Sequence, residues 1–175
     1  MRPSITVLAI VLGLAVPLSL PASERYHIET VAEGLSHPWS LAFLPDGDML
    51  VTERAGKLRL IREGKLLPEP IANVPEAYVA SQGGMLEVLL DPDFADNRRL
   101  FLSFAYGTPR ANNTRVVSAR LEGHALQDVL PIFTAQPMKS TPVHYGGRMA
   151  FMADGTLLLA LGDGFDYCEE AQNLG

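Results

Sequence analysis

The sequence predicts an all-β fold made of repeated antiparallel sheets. Three observations carry that expectation: short apolar runs of strand length, turn dipeptides between them, and an eleven-residue segment that returns without a gap 108 residues later. After Glu24 no window holds apolar residues at helical spacing over three turns.

Taken in order, the first 23 residues stand apart. Arg2 precedes an apolar stretch at 5–20 that is broken only by Gly, Pro and Ser, and Pro21, Ala22 and Ser23 offer small residues ahead of the polar Glu24 and Arg25. This is the layout of a secretory signal cleaved after Ala22 or Ser23, which predicts a periplasmic or secreted product with no membrane span after cleavage. A retained anchor is the other reading, although a span needs roughly 20 apolar residues and usually fewer breakers.

Strands are expected at 39–44, 49–52, 57–62, 85–90, 100–105, 114–121, 148–152 and 156–161. The third alternates, with Leu58, Leu60 and Ile61 set among Lys57, Arg59 and Arg62, as in a half-exposed strand. The wholly apolar runs read as strands buried on both faces. Between them lie the turn signals Pro45-Asp46-Gly47, Ala55-Gly56, Glu63-Gly64 and Asp154-Gly155, in which Gly supplies positive φ and Asp bonds its own backbone.

Composition narrows the function classes. The 175-residue chain carries 14 Lys+Arg against 20 Asp+Glu, a net charge of −6, so it lacks the basic surface a nucleic-acid binder needs. With 47% apolar and 19% charged residues it is globular rather than disordered. Its one cysteine, Cys168, excludes an intramolecular disulfide framework and a multi-Cys zinc site. The neighbouring Asp166, Glu169 and Glu170 disfavour the thiolate, so Cys168 reads as a bystander thiol.

The repeat sets the architecture. Residues 41–51 (LAFLPDGDMLV) align with 149–159 (MAFMADGTLLL), and Pro92-Asp93 opens a looser unit 47 residues after Pro45-Asp46. Two units in 108 residues give 54 per unit, a period that marks a β-propeller blade of about four strands. A sandwich whose hairpins resemble one another is the competing arrangement. Since a propeller closes with four to eight blades, the 152 residues after the leader make fewer than three, and the chain is expected to be an N-terminal fragment, with self-assembly as the alternative.

Four motifs then carry a family resemblance. GLSHPWSLAFLPDG at 34–47 with LVTER at 50–54, QGGML at 82–86 with DPDF at 91–94, HYGGRM at 144–149, and LGD at 161–163 resemble the soluble PQQ-dependent aldose sugar dehydrogenases of the glucose/sorbosone dehydrogenase family. The resemblance covers the chain from 24 to 175, in order and in register. It implies a six-bladed propeller of which about three blades are present. It further implies an oxidoreductase that takes aldose sugars to lactones with hydride passing to PQQ, an external electron acceptor, and Ca²⁺ held by later blades. The fragment alone is expected to be inactive.

His144 enters a strand from a loop ahead of Gly146-Gly147, where reactive residues tend to lie. Imidazole accepts a proton near neutral pH, and oxidising a C1 hydroxyl needs a base for its proton and a cofactor for its hydride. By resemblance His144 is that base; otherwise it is a histidine bonded to a neighbouring carbonyl. Gln82, beside two glycines that allow close approach, is by resemblance a PQQ contact, against a solvated turn glutamine. Arg148, inside a strand, needs a partner and reaches either the cofactor or Asp163. Gln172 matches a sugar-site glutamine loosely. Val143 departs from the aspartate found before the base in glucose-oxidising members. A carboxylate there would stabilise the protonated ring and orient the sugar; valine does neither, which favours the broader aldose-oxidising branch.

Other signals have plain readings. Residues 91–97 lack the Gly and Glu positions of a calcium loop and read as a β-turn. The sequon Asn112-Asn113-Thr114 reads as a hairpin turn. The alternative to the enzyme is a non-catalytic secreted propeller that binds carbohydrate or protein.

Overall fold

The computed structural model describes residues 26–166 together with Cys168 and Glu169. The expected leader at 1–23 and Gln172 lie outside the described residues. Among the described residues ten strands form three sheets, each with neighbouring strands antiparallel and in chain order, and one helical turn joins two of the strands. The first sheet holds β1 (Pro38–Phe43), β2 (Met49–Glu53), β3 (Lys57–Arg62) and β4 (Lys65–Leu66). The second holds β5 (Met85–Leu90), β6 (Arg99–Thr108), β7 (Ala111–Glu122) and β8 (Ala125–Thr134), with α1 (Phe94–Asn97) between its first two strands. β9 (Gly146–Phe151) and β10 (Leu157–Leu161) make the third. The expected first strands thus fall within two residues of β1, β5 and β9.

The sequence repeat is an atomic repeat. In the β1–β2 turn, Leu44 N–H donates to Asp48 O at 2.8 Å and Asp48 N–H to Asp46 Oδ1 at 3.1 Å. In the β9–β10 turn, Met152 N–H donates to Thr156 O and Thr156 N–H to Asp154 Oδ1, both at 2.9 Å. The looser middle unit keeps the same opening bond, Asp91 N–H to Arg99 O at 3.0 Å, but α1 lengthens it by four residues. Segment 91–97 is therefore a helical turn, not a β-turn: Asp91 Oδ1 accepts from Asp93 N–H and Asn97 Nδ2, and Arg98 closes it in the left-handed region.

A second repeat ties one sheet to the next. Thr52 Oγ1 on β2 accepts from Ser40 N–H in its own first strand and donates to Leu86 O in the next sheet's first strand, at 3.0 and 2.6 Å. Ser103 Oγ on β6 does the same between Glu87 N–H and Gly147 O, at 3.0 and 2.6 Å. One hydroxyl per sheet, used as acceptor inward and donor onward, turns each sheet into the next by the same geometry. Apolar layers fill the gaps: Leu50, Leu58, Leu60, Met85, Leu100 and Leu102 between the first and second sheets, and Phe101, Val116, Met149 and Phe151 between the second and third.

Three expectations need correction. The sequon is not a turn: Asn112 lies within β7, fully buried, and the reversal is made by Pro109 and Arg110. β8 was not expected, because Asp128 (φ 51°) and Pro131 interrupt its pattern; it is tolerated as the last strand of its sheet, with two register shifts against β7. β10, expected to be buried on both faces, leaves Leu158 and Leu161 about half exposed.

Candidate active site

The first strands β5 and β9 each begin at a pair of glycines, and the residues before those glycines meet. Gln82 N–H donates to Pro142 O at 3.2 Å, and Gln82 Oε1 accepts from His144 N–H at 3.0 Å. The glycines make this approach possible. At Gly84 (φ +147°) a Cβ would lie 2.1 Å from Arg54 O, and at Gly147 (φ +98°) it would lie 2.5 Å from the Leu86 side chain. Replacing Gly84 with Ala is accordingly expected to destabilise the fold by about 2–3 kcal/mol, since both the backbone angle and the contact are unfavourable. A thermal melt checks this; an unchanged Tm would show that the Arg54 carbonyl yields freely.

His144 itself sits in the left-handed region (φ 52°) with its side chain 40% exposed. Its Nδ1 lies 2.7 Å from Asp163 Oδ1, which also accepts from Phe165 N–H at 2.8 Å. The Phe165 amide, and after it the His144 side chain, hold the Asp163 carboxyl below its ordinary value. An ionised carboxylate only accepts, so Nδ1 carries the proton and Nε2 presents its lone pair, with no partner among the described residues. The Phe165 ring stands edge-on to the imidazole, centroids 5.3 Å apart.

Beneath the loop, Tyr145 is buried, its hydroxyl donating to Asn112 Oδ1 at 2.5 Å and its carbonyl accepting from Thr114 Oγ1 at 2.8 Å. Burial pushes the Tyr145 phenol up to about 12, so it stays neutral and serves as packing.

Among the described residues Arg148 does not pair with Asp163, one of its two expected partners. β9 alternates, with Gly147 and Met149 inward and Arg148 on the exposed face, so its side chain is 64% exposed and not enclosed. Its guanidinium pairs with the buried Glu87 at 2.8 Å and lies 4.8 Å from the Trp39 ring centroid. Trp39, Glu87 and Arg148 come from β1, β5 and β9, so the three first strands converge there. Asp163 instead serves His144. The carboxylate that Val143 cannot supply is thus present, twenty residues further along the chain.

The structure therefore brings His144 and Gln82 together, places Arg148 on the neighbouring strand face, and adds Asp163 and Glu87, which sequence reasoning had not assigned to these partners. The LGD motif at 161–163 was the available signal for Asp163. Among the described residues no group of three His, Cys, Asp or Glu side chains could hold a metal ion, and no helix is long and apolar enough to cross a membrane.

The sequence profile of the family described as Glucose / Sorbosone dehydrogenase matches residues 35–175. The chain belongs to that family. It is 41% identical over 146 residues to aldose sugar dehydrogenase YliI of Escherichia coli (strain K12), covering 81% of this chain and 39% of that protein. The crystal structure of the soluble E. coli aldose sugar dehydrogenase in its apo form is similar with a TM-score of 0.76 at 41% identity, over 83% of this chain and 43% of the other. The PQQ-bound aldose sugar dehydrogenase of Streptomyces coelicolor is similar with a TM-score of 0.72 at 27% identity, over 85% and 44%. This glucose/sorbosone dehydrogenase homologue thus spans about two fifths of the length of these relatives.

Proposed function

We propose that the chain supplies the base-bearing blades of a periplasmic or secreted quinoprotein that oxidises the C1 hydroxyl of aldose sugars to lactones. The His144–Asp163 pair, its open Nε2 beside Gln82, is the observation that carries this reading. In it, Nε2 takes the hydroxyl proton, and ionised Asp163 holds Nδ1–H in place and stabilises the imidazolium that forms. Phe165 shields one edge of the ring from water.

The residues present suit a quinone edge. Gln82 Nε2 has no partner among the described residues and is free to donate, and exposed Arg148 adds a cation, although Glu87 already balances its charge. Gln82 and Arg148 would hold PQQ, which when bound supplies the hydride acceptor. The Ca²⁺ ligands belong, on the family resemblance, to later blades of a six-bladed propeller. Reoxidation falls to an external electron acceptor. Gln172 is proposed to approach the sugar.

The test is dye reduction. The full-length gene product with PQQ and Ca²⁺ is expected to turn over several aldoses, and residues 24–175 alone are expected to show none. Failure of the full-length protein on every aldose, with PQQ bound, would favour the non-catalytic binding propeller.

A further inference from the structure

Lys139 is a lysine where a lysine is costly. It lies in the connection between β8 and β9, its backbone bonded both ways to Asn112 at 2.8 and 2.9 Å, and it is only 5% exposed. A buried ammonium is normally matched by a carboxylate. Here none of the described carboxylates pairs with it. Nζ donates instead to Thr141 O at 2.6 Å and Val143 O at 2.7 Å, and lies 3.8 Å from the centroid of the Tyr145 ring. Burial alone holds the ammonium below the ordinary lysine value.

Those two carbonyls bracket the loop that ends in His144. Two oxygens that converge on one point repel each other unless a multivalent donor stands between them, and an ammonium offers three N–H groups on a compact charge. The carbonyl between them, Pro142 O, points to Gln82 N–H, so successive carbonyls are held from alternate sides. The next residue, His144, holds φ at 52°, and Gly146 and Gly147 follow at 72° and 98°. Such a run of left-handed residues persists only where its surroundings over-determine it. On the far side a Cβ at Gly162 would sit 2.2 Å from His144 O, which shows how closely the histidine carbonyl is enclosed.

We propose that Lys139 is a positioning residue for the candidate base: by clamping the carbonyls of Thr141 and Val143 it fixes the backbone turn that aims the His144 imidazole. That role depends on the reading of His144 as the base. Lys139 and Asp163 both line a cavity of about 470 Å³, together with Met138 and Gly162.

Lys139→Met keeps length and removes the donors. In the full-length gene product, titrated with PQQ so that rates are per loaded site, it is expected to lower kcat by about 10–100-fold with KM within threefold, as misplacement of a reacting group does. Lys139→Ala should regain rate with added alkylammonium ions and not with the matching alcohols. A readout that needs no turnover is the ¹⁵N-histidine spectrum. The His144 Nδ1–H signal, assigned by its absence in His144→Ala, is expected as one sharp line in the parent and as broadened or multiple lines in Lys139→Met. If the parent oxidises no aldose yet Lys139→Met still loosens that signal, the functional reading fails and the clamp stands. An unchanged kcat and signal in Lys139→Met overturns the clamp. So does failure of both variants to fold, which would make the ammonium a support of the sheets rather than of the histidine.

Discussion

Replacing His144 with Ala in the full-length gene product is expected to lower kcat for aldose oxidation by about 10²–10⁴-fold, the loss typical of a positioned base. The fold should survive because His144 is built in through its backbone. Its N–H still donates to Gln82 Oε1, and Asp163 still accepts from Phe165 N–H when the ring is gone. The loss is then the imidazole's proton chemistry and its edge contact with Phe165, since the left-handed backbone at 144 strains the Cβ of histidine and alanine alike. PQQ titration of the variant should reach the same end point as the parent, and added imidazole should restore part of the rate. Activity within threefold of the parent, with PQQ bound, would remove His144 from the role of base.

What could be read from the residues alone was what is local. The turns at Asp46 and Asp154 are built from a side chain bonding the backbone two residues on, so the same letters gave the same turn 108 residues apart. The motif positions of His144 and Gln82 were legible for a related reason, since glycines beside them mark where backbones must close on each other. Features that depend on distant partners were not. Thr52 and Ser103 are unremarkable as letters, and only the folded sheets show that each hydroxyl links one sheet to the next. Asp163 was within view as a partner for Arg148, but the alternation of β9 turns Arg148 to the exposed face and toward Glu87. β8 escaped notice because Pro131 breaks the pattern that marks an interior strand, whereas the last strand of a sheet needs fewer donors.

Asp163→Asn tests the one interaction on which the orientation of the base depends. The carboxylate accepts from Nδ1–H at 2.7 Å, and this fixes the tautomer whose Nε2 lone pair faces outward. An amide in the same place can accept from Nδ1–H or donate to a bare Nδ1, so half of its arrangements put the proton on the wrong nitrogen, and none stabilises the imidazolium. A fall in kcat of about 10²–10³-fold is expected, with KM for the sugar little changed, because the ring keeps its place but not its proton. The acid stability of the fold gives an independent reading. Asp163 has its carboxyl lowered by the Phe165 amide first and by His144 second, so its contribution to stability is complete above the unfolded carboxylate value of about 3.9 and disappears as pH falls through the lowered one. The parent should therefore melt above the Asn variant at neutral pH, and the gap should close below about pH 4. A variant with parental kcat would show that Nδ1 needs no carboxylate. A gap in Tm that persists undiminished into acid would show that residue 163 stabilises the fold through something other than its charge.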